Sequence, residues 1–291
     1  MLLDYHVHPD YSIDARGSMR DYAQKALEKG LSEICFTTHL DLVPERMHLD
    51  GYVRVNGELW SVKDEWIPLY LQEIHDMKHM YRGKGLEILA GVEMDYHPDV
   101  VSDIESILNR YTFDYVLGAV HSLDGYSIAV PEDCRAFCRG KTPQEVCRQY
   151  FLLVAEAVET ELFDAMAHLD LYKRFSYSLY GPQLDDAHLP VWERVLEAFA
   201  SSSVGVEINT GNWRKGLSQP SPSADQLADL VRNGLECVTV GSDAHLPALI
   251  GKDIQRALDF AQAAGCASVQ RFRKRKPETA VVFSHNHTAA E

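Results

Sequence analysis

Two histidines near the start of the chain, His6 and His8, are spaced as a metal-binding pair. They close a short apolar run that predicts a strand, and side chains at positions i and i+2 of a strand point to the same side. Two imidazoles placed in this way can bind one metal ion. Asp243 and His245 follow another apolar run near the other end of the chain. Together, the two pairs predict a metal site assembled from distant parts of the sequence.

Single candidate ligands end four further apolar runs. In chain order they are His39, Glu93, His121 and His168. One histidine in such a position is more often a surface residue or a hydrogen-bonded core residue. Six of the 13 histidines, however, fall at the ends of five different predicted strands, and random scattering does not explain that placement. We therefore interpret the set as the ligands of a polynuclear metal centre.

The segments that carry these residues alternate between strand and helix. Seven short apolar runs predict strands, at 2–8, 33–39, 87–95, 115–121, 165–171, 204–210 and 237–245. Amphipathic stretches predict helices, at 19–29, 68–81, 100–110, 143–160, 189–200, 224–233 and 254–264. Seven repeats of strand then helix indicate a parallel sheet with right-handed crossovers. We therefore predict an α/β barrel whose candidate ligands converge at the C-terminal ends of its strands.

Composition and charge limit the classes of function. We expect a single domain over residues 1–283 and a disordered tail at 284–291, since a barrel needs roughly 250 residues. A formal net charge of −15 makes nucleic acid or an anionic membrane an unfavourable partner. A small phosphorylated substrate stays compatible, because bound cations dominate the field inside a site.

Two features predict a cytoplasmic protein. No run approaches the roughly 18 apolar residues of a membrane span, and the chain does not begin with a basic stretch followed by a long apolar one. The six cysteines form no CxxC pair, so free thiols in a reducing compartment are expected. The sequence leaves the oligomeric state open.

The remaining histidines serve as comparisons. His75 and His79 are spaced i, i+4 on a predicted helix, but they lack the glutamate of the zincin pattern, so we predict a solvated helix face. His285 and His287 repeat the spacing of the first pair without a strand before them. His97 is expected at the surface.

Six motifs follow one another along the chain. They are His6-Val7-His8-Pro9-Asp10, Thr38-His39, Gly91-Val92-Glu93, Val120-His121-Ser122, Ala167-His168-Leu169-Asp170 and Gly241-Ser242-Asp243-Ala244-His245. In this order they resemble the polymerase and histidinol phosphatase (PHP) family. Segments 169–175, 207–216 and 271–277 resemble its histidinol-phosphate phosphatase branch. The resemblance implies a distorted (β/α)7 TIM-like barrel with a trinuclear metal centre at the C-terminal ends of the strands.

The resemblance also implies which residues bind the three divalent ions, each of them zinc, iron or manganese, with mixtures allowed. The ligands of the first ion would be His6, His8, Glu93 and Asp243. Those of the second would be His39, His245 and Asp14. Those of the third would be Glu93, which bridges to it, His121 and His168.

Such a centre is suited to hydrolysis of a phosphate monoester. Metal ions lower the pKa of a bound water toward about 7 and neutralise the phosphoryl oxygens, so that a metal-bound hydroxide can attack. Arg174 and Arg214 lie just past predicted strands, where a guanidinium can bind phosphate through paired hydrogen bonds. Asp243 and His245 are both candidates for the proton donor to the leaving group. The resemblance implies L-histidinol phosphate, an intermediate of histidine biosynthesis, as the substrate.

Two alternatives stay open. A PHP-family phosphoesterase could act on a nucleotide, a phosphotyrosine peptide or a nucleic-acid end, although the acidic charge disfavours the last. An amidohydrolase-type C–N hydrolase also combines an H-x-H motif with a late aspartate. That class predicts eight strands and a lysine or equivalent bridging ligand midway, whereas we count seven strands and find Glu93 on the third.

Overall fold

Seven parallel strands form the centre of the fold in the computed structural model, which describes residues 1–283. Their bounds are β1 Leu3–Val7, β2 Glu33–Leu40, β3 Glu87–Asp95, β4 Tyr115–Ala119, β5 Ala165–Met166, β6 Gly205–Asn209 and β7 Val238–Gly241. Neighbours in the sheet follow one another in chain order, and every pair is parallel. The predicted seven-stranded barrel is confirmed. The tail predicted at 284–291, with His285 and His287, lies outside the described residues.

The sheet becomes a nearly closed barrel at its mouth, where the chain after β7 runs beside β1. The amide of His8 donates to the carbonyl of Ala244 at 2.9 Å, and the amide of Ala244 donates to the carbonyl of His6 at 3.2 Å. The buried carboxylate of Asp4 also accepts from the amide of Ser242 at 2.8 Å. These bonds place the two ligand pairs found at opposite ends of the sequence side by side.

Helices surround the barrel. Within residues 1–283 they are α1 Met19–Glu28, α2 Ile67–Tyr81, α3 Val101–Arg110, α4 Pro131–Cys138, α5 Pro143–Glu159, α6 Lys173–Tyr180, α7 Leu189–Ala200, α8 Gly211–Arg214, α9 Ala224–Arg232 and α10 Ile254–Ala263. The side chain of Ser18 caps the N-terminus of α1, because Ser18 Oγ accepts from the amide of Asp21. No helix in this part of the chain has both the length and the apolar character needed to cross a membrane.

Two of the strands end four or five residues before their predicted ends. The fifth ends at Met166 rather than at 171, and the seventh ends at Gly241 rather than at 245. Beyond these points the backbone leaves the extended region, with φ of 25° at His168 and 53° at Asp243. Positive φ is unfavourable for residues other than glycine and is retained where surrounding structure enforces it, often at functional sites. Both strands therefore stop where the chain turns a candidate ligand into the mouth.

Three hairpins add to the barrel within residues 1–283, and the sequence patterns predict none of them. Their strands are Tyr52–Val55 with Glu58–Ser61, Ser122–Leu123 with Tyr126–Ser127, and Ser268–Arg273 with Lys276–Val282. The third hairpin closes the end of the barrel opposite the mouth. There Phe272 is buried with its ring centroid 5.0 Å from that of Tyr115, and Arg273 pairs with Glu33 at 2.6 Å.

We expect Phe272→Ala to lower the free energy of unfolding by about 3–5 kcal/mol, because truncation of a buried phenylalanine removes its contacts and leaves a cavity. Chemical denaturation followed by circular dichroism measures the change. Val282→Ala on the partner strand is the control, since Val282 is 75% exposed. An unchanged unfolding midpoint for Phe272→Ala would mean that the third hairpin contributes nothing to the stability of the barrel.

Candidate metal centre

Glu93 lies at the middle of the mouth, and its two carboxylate oxygens face different histidines. Oε2 is 3.3 Å from His6 Nε2 and 3.5 Å from His8 Nε2. Oε1 is 3.0 Å from His168 Nε2 and 3.5 Å from His121 Nε2. The side chain of Glu93 is completely buried. One carboxylate thus stands between two separate groups of donor atoms.

Asp243 borders the first of these groups. Its Oδ1 lies 3.7 Å from His8 Nε2 and 3.9 Å from His6 Nε2, and its Oδ2 accepts from Arg174 Nη2 at 3.0 Å. Burial alone would raise the pKa of this carboxyl, but Arg174 and the neighbouring histidines outweigh burial and hold the pKa well below its usual range. Asp243 is therefore a charged carboxylate, the form that binds a metal.

A third group forms on the outer side of His8. His245 Nε2 lies 3.0 Å from Asp14 Oδ2, and His39 Nε2 lies 3.7 Å from the same oxygen. The rings of His39 and His245 each stack on that of His8 at 4.2 Å between centroids. His39 also turns Nδ1 toward Glu93 Oε2 at 3.0 Å. This group therefore adjoins the first one, and His8 borders both groups.

The donor atoms fit divalent ions. Several buried atoms at the centre make no hydrogen bond within residues 1–283, among them Nε2 of His6, Nε2 of His8, Nδ1 of His39 and Oε2 of Glu93. Buried polar atoms without a partner are rare in proteins. Imidazole nitrogens and carboxylate oxygens bind zinc and related ions at about 2.0–2.2 Å, which places two ligands of one tetrahedral ion about 3.3–3.6 Å apart. The spacings around Glu93 lie in or near this range.

The same histidines keep Glu93 charged. Burial would raise the pKa of its carboxyl, but His6, His39 and His121 together outweigh burial and lower the pKa well below its usual range. A carboxylate that stays ionised while completely buried needs positive partners on several sides. Divalent ions between the donor groups would supply such partners.

Glu207 supports the centre from behind, and the sequence assigned it no role. Its Oε1 lies 2.7 Å from His6 Nδ1, and its Oε2 accepts from the amide of His168 at 3.0 Å. A carboxylate on the second ring nitrogen fixes the tautomer and orientation of a metal-binding histidine. Gly241 permits this approach, since a Cβ there would lie 2.0 Å from Glu207 Oε1. The sequence does contain a signal for Glu207, because it is a charged residue inside an otherwise apolar predicted strand.

Asp95 holds the backbone of His121, and Asp41 lies near the His121 ring. Asp95 Oδ1 accepts from the amide of His121 at 2.7 Å, and one oxygen of each aspartate lies 3.8 Å from His121 Nδ1. Asp95 follows Glu93 at i+2 on β3, the same spacing that joins the first two histidines of the chain. That alternation could have identified Asp95 from the sequence.

A cavity of about 320 Å³ opens onto the donor groups, and both predicted phosphate-binding arginines line it. Arg174 reaches Asp243 Oδ2, while Arg214 Nη2 donates to the backbone carbonyl of Asp243 at 3.0 Å. Gly211 allows this crowding, because a Cβ there would lie 3.0 Å from both Arg174 Nη2 and Asp243 Oδ2. Two guanidinium groups therefore face the same space as the metal-binding atoms.

The structure gathers all nine predicted metal-binding residues and both arginines at one end of the barrel, while their chemical roles stay predictions. The comparison histidines lie elsewhere. His75 and His79 are exposed on α2, as expected for a solvated face. His97 Nδ1 accepts from the amide of Asp99 at 3.2 Å, outside the cluster.

Comparison with known proteins agrees with this geometry. The model of the PHP domain family matches residues 4–211. A protein named "Probable histidinol-phosphatase" from Deinococcus radiodurans is 32% identical, over 95% of this chain and 99% of its own length. The chain belongs to the PHP family, in its histidinol-phosphatase branch.

A sequence and a crystal structure from Lactococcus lactis extend the comparison. The histidinol-phosphatase of that organism is 27% identical to this PHP protein over 93% of the chain and 94% of its own length. A crystal structure of histidinol phosphate phosphatase, complexed with zinc, L-histidinol and phosphate, superposes with a TM-score of 0.77 at 26% identity. The match covers 96% of this chain and 99% of that one. The likeness thus extends over nearly the whole chain.

We expect Glu207→Gln to weaken metal binding by this PHP protein about tenfold to a hundredfold, the usual cost of losing a carboxylate that orients a metal-binding histidine. Inductively coupled plasma mass spectrometry after dialysis against a graded series of chelator concentrations measures the loss. Glu236→Gln is the matched control, because Glu236 is exposed. Metal retention equal to that of the parent would contradict the orienting role of Glu207.

Proposed function

We propose that this PHP protein is a metal-dependent phosphomonoesterase that hydrolyses L-histidinol phosphate to L-histidinol and inorganic phosphate in histidine biosynthesis. The observation that carries the proposal is the position of Glu93 between two groups of histidines. Each of its two carboxylate oxygens faces a different group, at 3.0–3.5 Å. The two arginines in the adjoining cavity add the chemistry that binds an anion. The L. lactis crystal complex, which contains zinc, L-histidinol and phosphate, supports the choice of substrate.

In this proposal three divalent ions, drawn from zinc, iron and manganese, occupy the donor groups. The first group would comprise His6, His8, Glu93 and Asp243. The second would comprise His39, His245 and Asp14. The third would comprise Glu93, His121 and His168. When bound, the ions would lower the pKa of a water molecule and neutralise the phosphoryl oxygens.

Arg174 and Arg214 would bind and orient the phosphate. Arg174 is only 11% exposed, and its Nη2 is already held by Asp243. Within residues 1–283 its buried Nε makes no hydrogen bond. A planar guanidinium held in place loses little freedom when it forms paired bonds to phosphate oxygens.

The cavity also fits a small substrate. Its volume of about 320 Å³ is at the lower end of the range for small-molecule sites. Leu171, Phe175 and Leu249 contribute apolar walls that can cover the alcohol half of the ester. Asp243 and His245 both border the cavity. Because the low pKa of Asp243 leaves its carboxylate without a proton, His245 is the remaining candidate for the proton donor to the leaving alkoxide.

A phosphate-release screen tests the proposal. The protein is purified without chelator, its metal content is measured, and it is assayed on L-histidinol phosphate, nucleotides, a phosphotyrosine peptide and 3′-phosphorylated DNA. We expect about three transition-metal ions per chain and the highest kcat/KM on L-histidinol phosphate. Full activity with a persistent value near one ion would contradict the trinuclear centre. A higher kcat/KM on another ester would instead support the alternative phosphoesterase.

We expect Arg174→Ala and Arg214→Ala to keep the metal content of the parent, because a guanidinium has no lone pair to donate to a metal. Each should lower kcat/KM roughly tenfold to a hundredfold, since a charge-assisted contact to phosphate contributes about 1.5–3 kcal/mol. Lysine at either position should restore only part of the loss. Inorganic phosphate should also inhibit the alanine variants less strongly.

The matched control is Arg232→Ala, which removes an arginine that is 68% exposed. If Arg214→Ala behaves like this control in both kcat/KM and phosphate inhibition, Arg214 does not bind the phosphate.

A further inference from the structure

The loop that follows β1 carries two side chains into the candidate metal centre. Ser12 Oγ lies 3.3 Å from His8 Nδ1 and accepts from the amide of His39 at 3.1 Å. Asp14 Oδ2 lies 3.0 Å from His245 Nε2. Because the side chain of Asp14 is 54% exposed, packing around it does not fix its position. The backbone of the loop must do so.

Arg54, on the first strand of the hairpin Tyr52–Val55 with Glu58–Ser61, binds this loop from the opposite side. Its guanidinium donates, at 2.9 to 3.4 Å, to the carbonyl oxygens of Asp10, Ser12, Ile13 and Ala15. Its backbone amide donates to the carbonyl of Tyr11 at 2.8 Å. One residue therefore holds the loop at five points, including the residues on either side of Asp14.

This arrangement requires an arginine. Four carbonyl oxygens converge on one region, and their negative ends repel one another unless a cation lies between them. A guanidinium stays charged and directs several donors in one plane, whereas a lysine ammonium is a compact charge that cannot span the same acceptors. Without the guanidinium each of these carbonyls would lose one donor, although Ser12 would keep the amide of Ala15, and the loss costs free energy where water cannot replace the donor.

The hairpin itself is anchored firmly enough to act as a support. Val53 and Val55 are buried beneath it, and Val53 forms a bridge with Ser12 of the loop. Before the hairpin in the chain, Arg46 is 5% exposed and donates to Asp133 Oδ2 at 2.8 Å. The strand that carries Arg54 is thus joined to the body of the protein as well as to the loop that Arg54 holds.

We propose that Arg54 is a positioning residue for the metal centre. By holding the carbonyls on both sides of Asp14, it sets the Asp14 carboxylate against His39 and His245 and so determines how tightly this donor group binds its ion. The inference rests on the proposed function in one respect, because it takes these three residues as ligands of a common ion.

A double-mutant cycle on the full-length metal-loaded protein tests the proposal. Metal retained per chain is measured over a series of chelator concentrations for the parent, Arg54→Ala, Asp14→Asn and the double variant. We expect Arg54→Ala to weaken the binding of one ion about tenfold to a hundredfold, as for other residues that orient metal ligands. Arg54→Lys should restore part of the affinity. The double variant should bind no more weakly than Asp14→Asn, because both changes act on one contact.

The control is Arg110→Ala, which removes an exposed arginine paired with Glu65 and should leave all ions bound as in the parent. Equal metal retention by Arg54→Ala and this control would overturn the proposal. Additive losses in the double variant would also overturn it, since Arg54 would then act by a route other than Asp14.

Hydrogen exchange on metal-stripped protein separates this proposal from the proposed function. The amides of Ala15 and Arg16 bond to the carbonyls of Ser12 and His245, and they should exchange faster in Arg54→Ala than in the parent. Unchanged exchange would overturn the positioning role whether or not the centre binds three ions. A parent protein that holds few ions would instead contradict the proposed function, independently of the comparison between variants.

Discussion

A completely buried carboxylate surrounded by imidazoles is the feature on which the rest of this structure depends. Glu93 is removed from water, and an isolated ion in that position would be strongly unfavourable. Histidine nitrogens face it from several sides at 3.0–3.5 Å. Several of these histidines are in turn hydrogen-bonded or approached by carboxylates, among them Glu207 and Asp95. Imidazoles thus surround the central carboxylate, and further carboxylates lie behind several of them. Divalent ions bound between these groups would complete the charge balance.

The barrel supplies what this arrangement needs. Parallel strands bring residues from distant parts of the chain to one end, and the bonds between His6, His8 and Ala244 join the first strand to the segment after the last. Where a strand would carry its ligand past the centre, the backbone turns instead, as the positive φ values of His168 and Asp243 record. Such local conformations persist because the surrounding fold determines them. The residues that close the barrel at the mouth therefore also position the candidate ligands.

Much of the centre could be predicted because its signals are local. The i, i+2 pair His6 and His8 and the single ligands at strand ends need only a strand assignment and the rule that strand ends converge. The parts that could not be predicted depend on contacts between distant segments. Glu207 lies beside His6 only after the barrel closes, 201 residues away in sequence. The Arg54 contacts also depend on a hairpin in a segment whose sequence shows no clear alternation of apolar and polar residues, so its strands could not be predicted.

Replacing Glu93 with glutamine tests the central claim most directly, by measuring metal content and phosphate release on the same preparation. The substitution keeps the shape of the side chain but removes its charge and makes one oxygen an amide group that cannot bind a metal. If Glu93 joins two groups of ligands, metal content and turnover should fall together, while Glu236→Gln should change neither. A glutamine variant that keeps all of its metal and all of its activity would show that Glu93 does not bridge the centre, and the account would be wrong.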